Sequence, residues 1–270
     1  MGPGSLILSH FSLGGASFAA RVAAASAARF DGIGLWVDDF RATVAGGTKP
    51  RDLRALADDH GVTVAEIEVL DGWAARAATR AYSAKERTLL QMAEVFGSRH
   101  LQVMGPFEGS LDDAAEAFAG VCDRAAEHGL LVAIEALPFT NISDFGIALS
   151  IAELAGRPNG GLCIDTWHHF RGANDDALID AVPASRIVSV QLNDGTMAPE
   201  NDDYFTDTIT NRRAPGDGEF DLRGVLEMLS AKGVEAPLSV EVLGIELASL
   251  PPDVVARRLG EAVRALLVPR

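Results

Sequence analysis

The sequence predicts a (β/α)₈ barrel that fills residues 6–270 as one domain. Three observations carry this reading. Short apolar runs alternate along the chain with segments of helical periodicity, and no linker or composition break interrupts them. The runs are apolar throughout instead of alternating with polar residues, which is the pattern of parallel strands covered on their outer side by helices. Eight such strand–helix units fit a chain of 270 residues. A doubly wound sheet would share the alternation, but Gly32 and Gly34 lack the third glycine of a G-x-G-x-x-G turn and there is no Walker A loop. A G-x-S-x-G elbow and an H-E-x-x-H helix are absent as well.

The first strand is 6–8, ending at Ser9 and His10 before the Gly14-Gly15 break. An alanine-rich helix over 16–30 follows, with Phe18, Val22 and Ala25 on its buried side. The second strand, 33–37, ends at Asp38. Pro50 opens and Gly61 closes a helix with Leu53, Leu56 and Ala57 on one face. The third strand, 62–69, ends near Glu68 and Asp71. Ser83 and Glu86 then form a capping box, each satisfying the other's free amide, for a helix that stops at Gly97. After strand four, 101–104, a helix capped by Ser110 carries Leu111, Ala115, Phe118, Cys122 and Ala125 at helical spacing. Strands five to eight are 130–134, 162–164, 187–190 and 238–240. Helical patterns fill the gaps, marked by Ile147, Ile151 and Leu154, then by Leu222, Val225, Leu226 and Leu229, and last by 252–267.

Composition narrows the function class. A formal charge of −15 argues against nucleic acid as partner, because phosphate-backbone binders need clustered Lys and Arg. No apolar run approaches the roughly 20 residues of a membrane span. The two cysteines, Cys122 and Cys163, sit in apolar patterns and read as reduced core residues, so a cytoplasmic location is expected. Residues 1–5 read as a cloning remnant and stay outside the fold argument.

The chemistry is carried by strand ends. Glu135, Asp165, Gln191 and Glu241 each stand at or beside the end of one of the last four strands. In a closed parallel barrel those ends converge on one face, where catalytic groups gather. Three carboxylates and an amide oxygen make a hard, all-oxygen set suited to one Mg²⁺ or Mn²⁺, and without an ion the carboxylates would repel one another. His168 follows Asp165 by three residues, in the stretch Cys163-Ile164-Asp165-Thr166-Trp167-His168-His169. His10, Trp36, Glu68 and Trp167 lie at or just beyond strand ends and are candidates to line a substrate pocket, the two tryptophans being equally suited to wall packing. His100 and His128 precede a strand and follow a helix, so they are expected away from the site.

The pattern resembles the xylose-isomerase-like TIM-barrel superfamily, which includes ketose epimerases, sugar isomerases, inosose and 3-dehydroshikimate dehydratases and AP endonucleases. The resemblance rests on Ile134-Glu135, Asp165-Thr166-Trp167-His168, Val190-Gln191-Leu192-Asn193-Asp194, Pro215-Gly216-Asp217-Gly218-Glu219-Phe220-Asp221 and Val240-Glu241, in that order. It implies that Glu135, Asp165, Gln191 and Glu241 bind the metal and that His168 contacts substrate or relays a proton. It implies too that the Pro-Gly-x-Gly stretch bends after strand seven, with Arg212 or Arg213 directed at substrate oxygens. Gln191 stands where sugar epimerases and isomerases of the superfamily carry histidine, and is similar to bacterial 3-dehydroshikimate dehydratases. The AP endonuclease branch is excluded by a chain of six histidines without a His-x-His pair after strand seven.

The expectation is a metal-dependent isomerase or epimerase of a small polyhydroxylated carbonyl substrate, working through a metal-stabilised enediolate with Glu135 or Glu241 as base. The alternatives are a dehydratase with His168 as acid and a non-catalytic sugar-binding barrel. The long segment 195–211 is read either as a lid or as a surface excursion. Homo-oligomerisation is left open.

Overall fold

The structure is a computed structural model and describes residues 1–2, 4–75 and 83–268; residue 3 of the expected cloning remnant and residues 76–82 and 269–270 of the expected domain lie outside them. Eight strands close a barrel in chain order: β1 (Leu6–Leu8), β2 (Gly32–Trp36), β3 (Thr63–Leu70), β4 (His100–Met104), β5 (Leu131–Glu135), β6 (Gly160–Asp165), β7 (Ile187–Leu192) and β8 (Leu238–Val240). Every pairing is parallel, and β1 meets β8 with Leu8 opposite Val240. Each strand lies within two residues of its predicted place at either end. Around the barrel run α1 (Phe18–Ala27), α2 (Val37–Ala45), α3 (Pro50–Asp59), α4 (Ala84–Phe96), α5 (Leu111–Ala126), α6 (Phe145–Ala155), α7 (Thr166–Arg171), α8 (Asp176–Ala181), α9 (Tyr204–Thr210), α10 (Leu222–Ala231), α11 (Ile245–Ala248) and α12 (Pro252–Leu267). No helix among the described residues is long and apolar enough to cross a membrane.

Some local readings need correction. Val37 does not end a strand but opens α2, whose first turn holds Asp38 and Asp39 where the helix dipole favours acids. The Ser83 hydroxyl caps the Glu86 amide at 3.0 Å, but the Glu86 carboxylate turns to Arg124 Nε at 2.6 Å. The complete capping box belongs to α5, between Ser110 and Asp113. Leu154 is 56% exposed, and α6 instead buries Phe145, Ala148, Ile151, Ala152 and Ala155.

Two environments result. Between strands and helices lies an aliphatic and aromatic core that includes Ile33, Leu35, Ile67, Leu101, Ile134, Ile164, Phe118 and Leu259. The lumen of the barrel is polar. Ser189 Oγ on β7 and Ser239 Oγ on β8 reach the Glu66 carboxylate on β3 at 3.5 and 3.3 Å, and strands that are not neighbours can meet only across the lumen. His100, expected away from the site, points inward from β4 and bonds Glu66 Oε2 at 3.0 Å, on the floor beneath the site. Room for these acids comes from Gly34 on β2: a Cβ there would lie 2.5 Å from Glu68 Oε1 and 3.0 Å from Glu66 Oε1.

Candidate functional site

The barrel's C-terminal face gathers the candidate donors from consecutive strands. Glu135 ends β5, Asp165 ends β6, Gln191 lies in β7 and Glu241 directly follows β8, all of them buried. A chain of contacts runs through them. Gln102 Nε2 donates to Glu135 Oε2 at 2.9 Å and to Gln191 Oε1 at 3.3 Å, and Gln191 Nε2 donates to Glu241 Oε1 at 3.0 Å. Arg212 Nη1 then bridges Glu241 Oε2 at 2.9 Å and Asp165 Oδ2 at 3.0 Å.

In each carboxylate one oxygen is occupied by fixed donors and the other is turned inward. Asp165 Oδ1 accepts from the Trp167 amide at 2.7 Å, so the acid is also the N-cap of α7, and from Asn193 Nδ2 at 2.8 Å. Glu135 Oε2 is held by Gln102, and Glu241 Oε1 by Ser9 Oγ at 3.0 Å and by Gln191. The remaining oxygens face Arg212 and His168, whose Nε2 lies 3.4 Å from Glu135 Oε1 and 3.5 Å from Asp165 Oδ2. Glu135, Asp165 and His168 each offer a ligand atom within 4.8 Å of the others. Oriented, hydrogen-bonded carboxylates of this kind suit a hard divalent cation. Gln191 bonds within the chain: its nitrogen faces Glu241 and its oxygen accepts from Gln102 and from Cys163 Sγ at 3.3 Å.

Electrostatics reflect crowding. Burial, reinforced by Glu135, Asp165 and Glu66 against the opposing pull of Arg212, pushes the Glu241 carboxyl up to about 8. Burial, with Glu66, Glu241 and Glu135 nearby, likewise raises Glu68 well above the carboxylate range. At Asp165 burial acts in the same sense but is outweighed by Arg212, His168 and the bonds from Asn193 and Trp167, which hold that acid low.

Arg212 owes its place to the turn that follows it. The Asp194 carboxylate accepts from the Gly195, Gly216 and Phe220 amides at 2.8, 2.9 and 3.1 Å, curling the Pro-Gly-x-Gly stretch around itself. Gly218 is required there, because a Cβ would lie 2.2 Å from Asp194 Oδ1. Asp194 also pairs its backbone with Arg213, which leaves Arg212 pointing into the site. Arg213 turns outward to Glu200 at 2.8 Å, so of the two arginines only Arg212 reaches the donors. Trp167 takes the second of its two expected places. Its ring is fully buried, bonded through Nε1 to Thr208 Oγ1 at 3.0 Å and packed on Phe220, which makes it wall and not pocket lining.

On the opposite side of the mouth, Glu68 Oε1 accepts from the His10 amide at 3.4 Å, and the His10 ring lies against Phe11 and the half-buried Trp36. Burial, helped by Arg21, pushes the His10 imidazole down to about 3. Between that value and 6.5 the unfolded chain binds the extra proton, so this stability is present above 6.5 and is lost as pH falls. The slope is up to about 1.4 kcal/mol per pH unit. A His10→Gln variant is therefore expected to unfold at lower pH than the parent in acid titrations followed by circular dichroism; an unchanged acid midpoint would contradict the neutral, buried ring.

The segment 195–211 folds back on the barrel. Asp207, 1% exposed, accepts from the Glu200 and Asn201 amides at 3.0 and 3.2 Å and from Arg171 Nε at 2.8 Å. Arg171 in turn lies over the Trp167 ring at 4.5 Å. The α9 helix so anchored brings the Tyr204 hydroxyl to 2.9 Å from His168 Nδ1. His169 faces away, toward Asp176. Sequence reasoning missed Gln102, Asn193, Glu66 and the Tyr204–His168 contact. A signal for the first and third existed in the period-two polar residues of Glu66-Ile67-Glu68 and His100-Leu101-Gln102, which mark a face turned into the lumen.

Comparison with known proteins agrees with this architecture. A 3-dehydroshikimate dehydratase of Pseudomonas aeruginosa is 27% identical over 229 residues, 82% of this chain and 35% of that protein. An inosose isomerase of Halalkalibacterium halodurans is 33% identical over 132 residues, 48% of this chain and 45% of that one. The chain thus spans less than half the length of these curated relatives. Among solved structures, one described as IOLI protein with a bound zinc atom superposes with a TM-score of 0.86 at 16% identity, covering 97% of this chain and 98% of its own. The sequence profile described as xylose isomerase-like TIM barrel matches residues 22–265, and the chain belongs to that family.

Proposed function

We propose that the chain is a divalent-metal-dependent isomerase or epimerase that enolises a small polyhydroxylated carbonyl compound. The observation that carries this reading is the division of labour among the carboxylates: Glu135, Asp165 and Glu241 each have one oxygen fixed by its own donors and the other turned toward the same region as His168 Nε2. Glu135, Asp165, Gln191 and Glu241 would hold Mn²⁺ or Mg²⁺. The ion supplies Lewis acidity to a substrate carbonyl and offsets the mutual repulsion of the acids.

The residues of the chain do the rest. Glu135 and Glu241 end strands three positions apart around the barrel, so they approach a bound substrate from different sides. One removes the α-proton. Inversion of a centre needs the other to enter the step as the acid and give its own proton to the opposite face; return of the abstracted proton to the neighbouring carbon, with a proton passed from the hydroxyl to the carbonyl oxygen, shifts the carbonyl. Arg212, whose Nη1 is held by Asp165 and Glu241, would offer Nη2 to a substrate oxygen, and His168 would present Nε2 to a carbonyl or hydroxyl oxygen.

Dehydration is the second reading, favoured by the neutral Gln191 and by a dehydratase that matches 82% of the chain. There the same proton abstraction is followed by loss of a β-hydroxyl, with His168 giving its proton to the departing oxygen. Incubating ketoses, inososes and 3-dehydroshikimate with the protein and Mn²⁺ in D₂O tests both. Solvent deuterium at the α-carbon of a product isomeric with the substrate is the expected result. Loss of water would select the second reading, and no exchange into any compound would leave a sugar-binding barrel.

A further inference from the structure

Tyr204 is the first residue of α9, a helix held to the barrel wall from two directions. Asp207 binds Arg171 at 2.8 Å, and Thr208 Oγ1 receives the Trp167 indole N–H at 3.0 Å. From this anchored helix the Tyr204 hydroxyl meets His168 Nδ1 at 2.9 Å, with the two rings inclined by only 19°. Phe139 packs on Tyr204 at 5.6 Å between centroids, so the phenol is held in place from outside as well.

A neutral imidazole facing a hydroxyl can donate from Nδ1 or accept at it, and the second nitrogen decides which. His168 Nε2 faces two carboxyl oxygens, Glu135 Oε1 at 3.4 Å and Asp165 Oδ2 at 3.5 Å. Arg212 Nη2 at 3.5 Å favours a lone pair there, but one donor is set against two carboxylates. The hydrogen therefore belongs on Nε2, and Nδ1 accepts from Tyr204. Burial raises the phenol above its ordinary range, so its proton stays available to donate.

We propose that Tyr204 is a positioning residue that fixes His168 in the Nε2–H tautomer and aims that N–H past Glu135 and Asp165 at the substrate. The inference deepens the function proposed above and rests on it for the role of the N–H. It does not rest on it for the tautomer. A ring free to adopt the Nδ1–H tautomer would present a lone pair where a polarised carbonyl or a departing hydroxyl needs a hydrogen.

The test is nitrogen NMR on the full chain carrying ¹⁵N-histidine, with the His168 signals assigned through His168→Asn. The parent is expected to show Nε2 protonated and Nδ1 bare, and Tyr204→Phe to move His168 toward the other tautomer while the melting temperature stays that of the parent. Asp207→Ala, which frees α9 without touching either ring, is expected to move it in the same direction. With an accepted substrate, Tyr204→Phe should lower kcat by about 10–100-fold, the usual cost of losing an orienting partner. KM should change by less than about twofold, because the contact orients the ring and does not hold substrate. A parent with Nδ1 protonated, or a Tyr204→Phe spectrum unchanged at His168, would overturn the proposal. The expected tautomer shift without turnover of any compound supports the positioning role and refutes the proposed reaction instead.

Discussion

Glu241→Gln is expected to abolish the rise in melting temperature that the proposed site predicts for the parent chain in Mn²⁺ or Mg²⁺, and to lower kcat by about 10²–10⁴-fold. The substitution keeps volume and leaves Ser9 and Gln191 a partner of the same shape. What it removes is the oxygen now held by Arg212, the one this carboxyl group turns into the site, and with it the capacity to ionise. Ion binding at a hundredfold excess over Kd stabilises a fold by about 2.7 kcal/mol, a shift well within reach of a thermal melt run with and without EDTA. An equal ion-dependent shift in parent and variant would remove Glu241 from the ligand set, whatever happened to activity.

Arg212→Met is expected to destabilise the ion-free protein by about 3–5 kcal/mol, because a buried pair loses one partner and the other charges stay behind. Asp165 Oδ2 and Glu241 Oε2 both depend on the same Nη1, so two acids are orphaned at once. Below about 8 Glu241 already carries a proton, which limits the loss there. A carboxyl whose folded value is raised contributes stability at low pH that disappears as pH climbs through that value. The penalty should accordingly be greater above about 8 than below it. Added Mn²⁺ should recover more stability in the variant than in the parent, since the carboxylates then lack an internal counter-charge. Urea unfolding across pH reads all of this, and a variant as stable as the parent in EDTA would mean that the guanidinium contributes nothing to the fold.

The barrel was legible because its strands are apolar runs that need no partner to be recognised. Leu6–Leu8 and Leu238–Val240 were found at their bounds, and the others slipped by at most two residues at an end. Helices that start on the last strand residue were not legible. α7 has Asp165 as both strand end and N-cap, with no turn residue to announce it, and α2 follows Trp36 in the same way. The convergence of Glu135, Asp165, Gln191 and Glu241 on one face could be read from their places after apolar runs. What orients them could not: Gln102 in β4 and Asn193 beyond β7 act through distances that only the closed barrel sets. Arg212 and Arg213 were equivalent on paper, and the backbone bridge from Asp194 to Arg213 is what separates them.

Gln102 also ties the third candidate donor to the first. Its amide nitrogen serves Glu135 and Gln191 together, and its oxygen accepts from Gln191 Nε2 at 3.4 Å. An imidazole at position 191 has no amide to face that of Gln102 in both directions, so Gln102 would keep its bond to Glu135 and at most one of its two contacts with position 191.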